Sequence, residues 1–221
     1  MKKAIFIACA ISFLVVSCKE KTNESVTTTE QETAVEKGSS YNVDEAESFV
    51  KWTGYHKGGL NPRFGIVKTT GSLSSENNEI TGGTFTMDMN SVLTDEKSVD
   101  PAISDGKTAS DLDVHLKNAD FFDVAKYPTS TFSITSVKKL ENPSVEATHT
   151  VSGNLKIKDK TVNVSFPAKV TETENQITLQ SKFSINRLDW GLNYVAEGDP
   201  KDWVISKDID LELNIKANKS K

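Results

Sequence analysis

The sequence predicts an all-β fold, an eight-stranded antiparallel barrel with one short helical crossover, and three observations carry that prediction. From Tyr41 onward apolar and polar residues alternate with period two, the pattern of a sheet with one dry and one wet face. Compact turn signals cut the alternation into eight runs, and a single stretch between them switches to helical spacing. Eight amphipathic strands fit a closed barrel, whose interior holds either packed side chains or one ligand. No internal repeat and no second hydrophobic cluster marks another domain in the 221 residues.

The elements follow in order. Lys2 and Lys3 precede an apolar run from Ala4 to Val16, broken only by Ser12. At about 13 residues it is shorter than the ~17–25 that span a bilayer, and it reads as a secretory signal, residues 1–17. It ends in Leu14-Val15-Val16-Ser17-Cys18, which resembles a bacterial lipobox, so Cys18 is expected to be cleaved free and acylated; an ordinary signal with an incidental cysteine is the alternative. Lys19 after the cysteine favours the outer membrane, where Asp would favour retention at the inner one. Residues 18–40 are then read as the acylated Cys and a flexible tether: Lys19 to Ser40 is rich in Thr, Glu, Ser and Lys, with Val26, Ala34 and Val35 its only apolar members. Such a tether reaches about 25 Å at ~5–6 Å × √n.

The barrel is expected over residues 41–218. Weak alternation marks strands around Val50 and Trp52 and from Val67 to Leu73. Phe85, Met87 and Met89 then alternate with Thr84, Thr86, Asp88 and Asn90. The exception follows: Ser110 to Leu116 opens on a capping residue and sets Leu112, His115, Leu116 and Ala119 at helical spacing, and Tyr127-Pro128 closes it. Strands resume at Phe132 and Ile134 and at Val151, Leu155 and Ile157. The next carries Val162, Val164, Phe166, Ala168 and Val170 on one face. Ile177, Leu179, Phe183 and Ile185 share a parity, as do Ile205, Ile209, Leu211, Leu213 and Ile215. Turns fall at Gly58 to Pro62, Glu76-Asn77-Asn78 and Lys158-Asp159-Lys160. Pro167, inside a strand pattern, marks an edge, a bulge or a seam.

Composition narrows the chemistry. A net charge of −5, or −7 without residues 1–17, and no basic cluster argue against nucleic acid as partner. Both cysteines, Cys9 and Cys18, lie in the first eighteen residues, so the domain has no disulfide framework or cysteine nucleophile. His56, His115 and His149 are widely spaced and form no two-His metal motif, and no G-x-S-x-G elbow or P-loop is present. Asp208 and Asp210 fall on a polar parity and read as a solvated face. Asp100, Asp105-Gly106 and Asp111 lack the acidic pattern of a calcium loop.

Several blocks carry a family resemblance. Ser48 to Gly54, Gly65 through Leu73, and Gly82 to Ser91 resemble the opening of the YceI-like family. The block His115-Leu116-Lys117, Asp120 to Val124, Tyr127-Pro128 and Phe132 is the most specific, joined by Phe183 to Arg187 and Trp190-Gly191. The match runs from about Tyr41 to Ile215. Departures are Arg63-Phe64 in place of a His-containing approach to Gly65, Asp159 at a usual turn glycine, and the loop Val195 to Pro200. The resemblance implies a lipocalin-like barrel of the bacterial envelope whose tunnel binds a long polyisoprenoid.

The inward parity then names the expected wall: Trp52, Phe85, Met87, Met89, Phe132, Ile134, Val164, Phe166, Phe183, Ile185, Ile209 and Leu211. Arg187 is the leading head-group contact, because a guanidinium fork suits phosphate, with an internal ion pair as the alternative. His56 and His115 are further candidates, and a hydrogen-bonded structural histidine is the alternative for His115. The expected ligand is an isoprenoid quinone or polyprenyl lipid, with no catalytic residue, metal or other cofactor; the partners are that lipid and the membrane through Cys18. Two other readings stay open, an enzyme acting on a lipophilic substrate and a filled structural barrel. Oligomeric state is not set by the sequence.

Overall fold

Alternating runs become strands because each buries one face and satisfies its backbone against two neighbours. The computed structural model describes residues 25–195 and 204–220, with strands β1 (Val26–Thr28), β2 (Ser39–Val43), β3 (Phe49–His56), β4 (Leu60–Val67), β5 (Thr69–Glu76) and β6 (Glu79–Asp88) in the first half. β7 (Leu93–Thr94) and helix α1 (Ala109–Lys117) follow, then β8 (Thr129–Lys139), β9 (His149–Ile157), β10 (Lys160–Glu172), β11 (Gln176–Asn186) and β12 (Asp208–Lys219). All pairings are antiparallel, and β2, β5, β6, β8, β9, β10, β11 and β12 close into a ring of eight. This is the expected lipocalin-like barrel with added strands and one short helix.

The added strands arise where a stave breaks in two. β2 and β3 lie end to end along one edge of β12, pairing with Ala217–Lys219 and Asp210–Asn214 respectively. The run read as one strand from Val67 to Leu73 bends at Lys68 into β4 and β5, with the Lys68 N–H donated to Ser91 Oγ at 2.8 Å. β7 continues the β6 stave after a single turn and pairs β4. Ile205, expected in the last strand, precedes β12 and forms an isolated bridge to His56.

Pro167 sits at a seam. β10 pairs β11 only from Lys169↔Gln180 to Glu172↔Ile177, and the strands part next to the proline, which has no N–H to offer. Ser181 Oγ donates to Pro167 O at 2.5 Å across the parting. Beyond it β1 inserts, pairing Val26–Thr28 with Asn163–Ser165, while Ser25 N and Oγ both donate to Ser184 O on β11.

Residues 25–40 therefore correct the expectation of a flexible tether. They run as a strap over the outer face of the barrel. Gln31 N donates to Asn154 Oδ1 at 3.0 Å, and Asn154 Nδ2 returns a bond to Gln31 O at 2.7 Å. Asn163, expected on the wet face, donates to the same Asn154 Oδ1, and both asparagines are buried under the strap. Ala34 N donates to Ile134 O, Glu36 accepts from Ser74 Oγ, and Lys37 exchanges two bonds with Thr81 Oγ1. The strap is ordered by hydrogen bonds, which a count of apolar residues does not register. Cys18 and the expected signal lie outside the described residues, as do residues 196–203.

The helix is capped by Thr108, not by Ser110. Thr108 Oγ1 accepts from the Asp111 N–H, and the Asp111 carboxylate accepts from the Thr108 N–H, a reciprocal capping box. Asp113 fastens α1 to β7 by accepting from Thr94 N and Oγ1 at 2.7 and 2.6 Å. Leu73, Ile134, Val151, Ile177 and Ala217, all essentially inaccessible, fill one end of the barrel as a floor. α1 and the segment after it lie over the other end.

Candidate functional site

Above the floor the interior is open. A cavity of about 300 Å³ occupies it, at the lower edge of the ~300–1,000 Å³ that ligand pockets span. Trp52 of β3, Phe85 and Met87 of β6, and Met89 just beyond β6 line it, as do Phe132 of β8, Val164 and Phe166 of β10, Phe183 and Ile185 of β11, and Ile209 and Leu211 of β12. Ile134 does not. It faces inward like Phe132 but one step nearer the floor, where its neighbours fill the space. Parity fixes a face and is silent on depth.

Aromatic rings form a belt across four staves. Phe85 and Phe132 have centroids 6.3 Å apart, Phe132 and Phe166 5.7 Å, and Phe166 and Phe183 stack at 4.1 Å and 3° across the parted seam. Two glycines set ring positions. A Cβ on Gly153 would lie 2.3 Å from Phe132 Cζ, and one on Gly65 2.8 Å from Trp52 Cζ2 and 2.1 Å from Leu93 O. Each ring rests on backbone only because no side chain intervenes.

The open end carries the polar groups. Arg187 is 1% exposed and lines the cavity, but its Nε donates to Ser206 O at 2.9 Å, Nη2 to Ile205 O at 3.0 Å, and Nη1 to Leu192 O. Backbone carbonyls thus meet three of the five guanidinium N–H groups. Burial pulls its pKa below the ordinary arginine value. The side chain ties the turn after β11 to the approach of β12.

His56 lies at the mouth near Asn61 Nδ2, 3.4 Å from its Nδ1, and burial with Arg63 nearby lowers its pKa. Arg63 Nη2 donates to Ser104 Oγ at 2.9 Å and Nη1 to Ser98 O at 2.5 Å, holding the loop before α1 against β4. Tyr55 OH donates to Asp210 Oδ2 at 2.7 Å; burial first, then that carboxylate, pushes the phenol up to about 12. Asp210 therefore anchors a tyrosine rather than standing solvated.

His115, on α1, packs against Tyr194 at 4.6 Å between centroids, with Nδ1 3.8 Å from Asp120 Oδ2. Its Nε2 is buried without a partner. Leu112, Leu116, Phe121 and Phe122 complete this lid over the cavity. Sequence reading missed these four as wall residues, along with Tyr55, Asn61 and Arg63. Leu112 and Leu116 share the face of His115 and were legible from that spacing. Thr69 was missed because a threonine on an apolar parity reads as an interruption.

Comparison with known proteins follows from this geometry. The sequence model of the YceI-like domain matches residues 41–217. Over 89 residues the chain is 37% identical to the proteins named YceI of Salmonella arizonae and Salmonella newport, covering 40% of this chain and 44% of theirs. It thus spans less than half the length of the curated relatives it matches. Among solved structures, Burkholderia cenocepacia BcnA superposes with a TM-score of 0.57 at 18% identity, over 79% of this chain and 99% of that one. A polyisoprenoid-binding domain from Saccharophagus degradans, implicated in plant cell wall breakdown, gives 0.57 at 15% identity, over 81% and 98%. The YCEI protein of Campylobacter jejuni gives 0.51 at 19%, over 69% and 82%. At such identities the structures share a fold.

Proposed function

The chain belongs to the YceI-like domain family, and from that premise we propose that its barrel binds and shields a long-chain isoprenoid lipid, polyprenyl or quinone, as a carrier in the bacterial envelope. The observation that carries this reading is the cavity itself, walled by Phe, Met, Val, Leu and Ile from the staves and roofed by the lid. A filled barrel would have no such space. The Saccharophagus relative of the same fold is a polyisoprenoid-binding domain. At ~0.8 kcal/mol per buried CH₂, a prenyl chain in water forfeits many kcal/mol, and a dry slot recovers most of that outside the membrane. Phe85, Met87 and Phe166 give the adaptable aromatic and thioether surface that suits a branched chain.

The reading is of a binder: the polar groups at the mouth, buried Arg187 and half-buried Tyr55, are engaged with backbone carbonyls and Asp210. The signal at residues 1–17 and acylation of Cys18 make it a lipoprotein of the outer membrane. The described chain begins at Ser25, bonded beside the open end to Ser184 O, with Thr27 near Asp189. An anchor seven residues earlier keeps that end within about 25 Å of the bilayer at ~3.3–3.6 Å per residue.

Organic extraction and native mass spectrometry of the purified chain test the binding. Co-purifying isoprenoid, released unreacted, is the expected result; no native lipid and no uptake of added prenyl lipid refutes it, and a converted lipid points to an enzyme instead. For the anchor, Cys18→Ala is expected to leave the protein unprocessed and without the acyl mass. A mature mass and membrane fraction unchanged from wild type refute it.

A further inference from the structure

The barrel wall has a lengthwise slit. From Lys169 to Glu172 β10 is bonded to β11, but nearer the mouth the two strands part, and Asn163–Ser165 of β10 take β1 as their partner instead. β1 holds both banks. Val26, Thr27 and Thr28 pair with Ser165, Val164 and Asn163 of β10, and Ser25 N and Oγ donate to Ser184 O of β11 at 3.3 and 2.6 Å. Inside, Phe166 from one bank stacks on Phe183 from the other, centroids 4.1 Å apart, and both rings line the cavity. Two closures therefore lie back to back, a ring pair within and a strand without.

The outer closure is the weaker one. Each residue of β1 is exposed, Val26 by 63%, so the strand buries little apolar surface and is held by hydrogen bonds. A segment with exposed backbone bonds and little packing opens locally at small cost while the rest of a domain stays folded. Once β1 lifts, the β10 edge offers unpaired backbone groups, and Pro167, without an N–H, cannot help draw β11 back across. The stacked rings and the Ser181 Oγ bond to Pro167 O then remain across the slit. The strap that carries β1 lies outside the matched domain, residues 41–217, so this closure belongs to the chain's own N-terminal segment.

We propose that β1 is a clasp. Seated, it seals the side of the barrel and confines a bound isoprenoid to the mouth; lifted, it lets the slit part at Phe166 and Phe183, and the cargo leaks sideways. The proposal rests on the isoprenoid-binding reading for its cargo, while the clasp itself is a property of the seam.

The experiment uses the purified full chain, delipidated and loaded with squalene, with release followed into excess methyl-β-cyclodextrin. Ser25→Pro removes both donors to Ser184 O and is expected to speed release about five- to thirtyfold, the effect of one or two hydrogen bonds on the opening equilibrium. Adding Val26→Cys with Ser165→Cys, which face each other across β1 and β10, should return the wild-type rate when oxidised and the fast rate when reduced. Ile134→Ala, on the floor and away from the seam, should release at the wild-type rate. Equal rates in Ser25→Pro and wild type, fast release under the cross-link, or the same acceleration in the floor variant would overturn the clasp. If wild type takes up no squalene, the isoprenoid reading fails, and hydrogen exchange then decides the clasp. Exchange should quicken in Ser25→Pro at residues 163–166 and 181–186; unchanged exchange there overturns it.

Discussion

Met87→Ala and Ile134→Ala remove three heavy atoms each from residues of nearly equal burial, 8% and 1% exposed, yet they should differ sharply in cost. Ile134 belongs to the floor and is packed on every side, so its loss forfeits about 2.4 kcal/mol of transfer energy at ~0.8 per carbon. A residual void of about 50 Å³ at ~24 cal/mol per Å³ adds about 1.2 kcal/mol, for a total near 3.5. Met87 borders the 300 Å³ cavity, where part of its neighbourhood is already missing. Its truncation enlarges existing space and should cost less than about 1.5 kcal/mol, below the usual ~2–5 for a methionine in a core. Urea unfolding of the delipidated protein, with m-values checked for constancy, measures both. The retained prenyl length should shift in Met87→Ala and stay fixed in Ile134→Ala. Equal stability losses, or a shift in the floor variant alone, would show that the division into wall and floor is wrong.

Three further outcomes follow. Asn154→Ala strips two bonds from Gln31 and one from Asn163, so it should cost about 1–3 kcal/mol and speed cleavage after Glu30 and Glu32 by a glutamyl protease; wild-type cleavage rates would mean the strap is held elsewhere. Gly65→Ala forces a Cβ against Leu93 O and the Trp52 ring, and should cost about 1–3 kcal/mol by overpacking with a shift in tryptophan emission; an unshifted spectrum would refute the contact. Burial and Lys139 hold His149 below its ordinary 6.5, and burial with Arg63 does the same for His56. The unfolded chain binds more protons below that value, so stability is present above about pH 6.5 and falls as acid carries the pH through the folded values. Urea midpoints should drop from pH ~7 to ~5, less steeply in His149→Gln; an identical slope in that variant would remove His149 from the account.

The eight staves were legible because a half-dry sheet imposes period two, and Pro167 named its seam through a missing N–H. What alternation does not carry is where a stave bends. Lys68 breaks the run from Val67 to Leu73 through a bond to Ser91, a residue far along the chain. Nor does it carry depth, so Ile134 was placed in the wall. The strap escaped notice because its order comes from backbone bonds to Asn154, Ile134 and Thr81, and polar composition looks the same in a hydrogen-bonded strap as in a loose tether. Eleven of the twelve expected wall residues line the cavity, and helical spacing marked Leu112 and Leu116, whereas Phe121, Phe122 and Thr69 had to be seen folded.

The floor has a consequence for traffic. Leu73, Ile134, Val151, Ile177 and Ala217 stopper one end, so the slot is a blind tube and not a conduit. Loading and unloading share one doorway, and an incoming molecule cannot push its predecessor out ahead of it. On the proposed carrier reading, turnover of cargo is then sequential, vacancy before refilling, and a recipient meets the cargo only at the doorway itself.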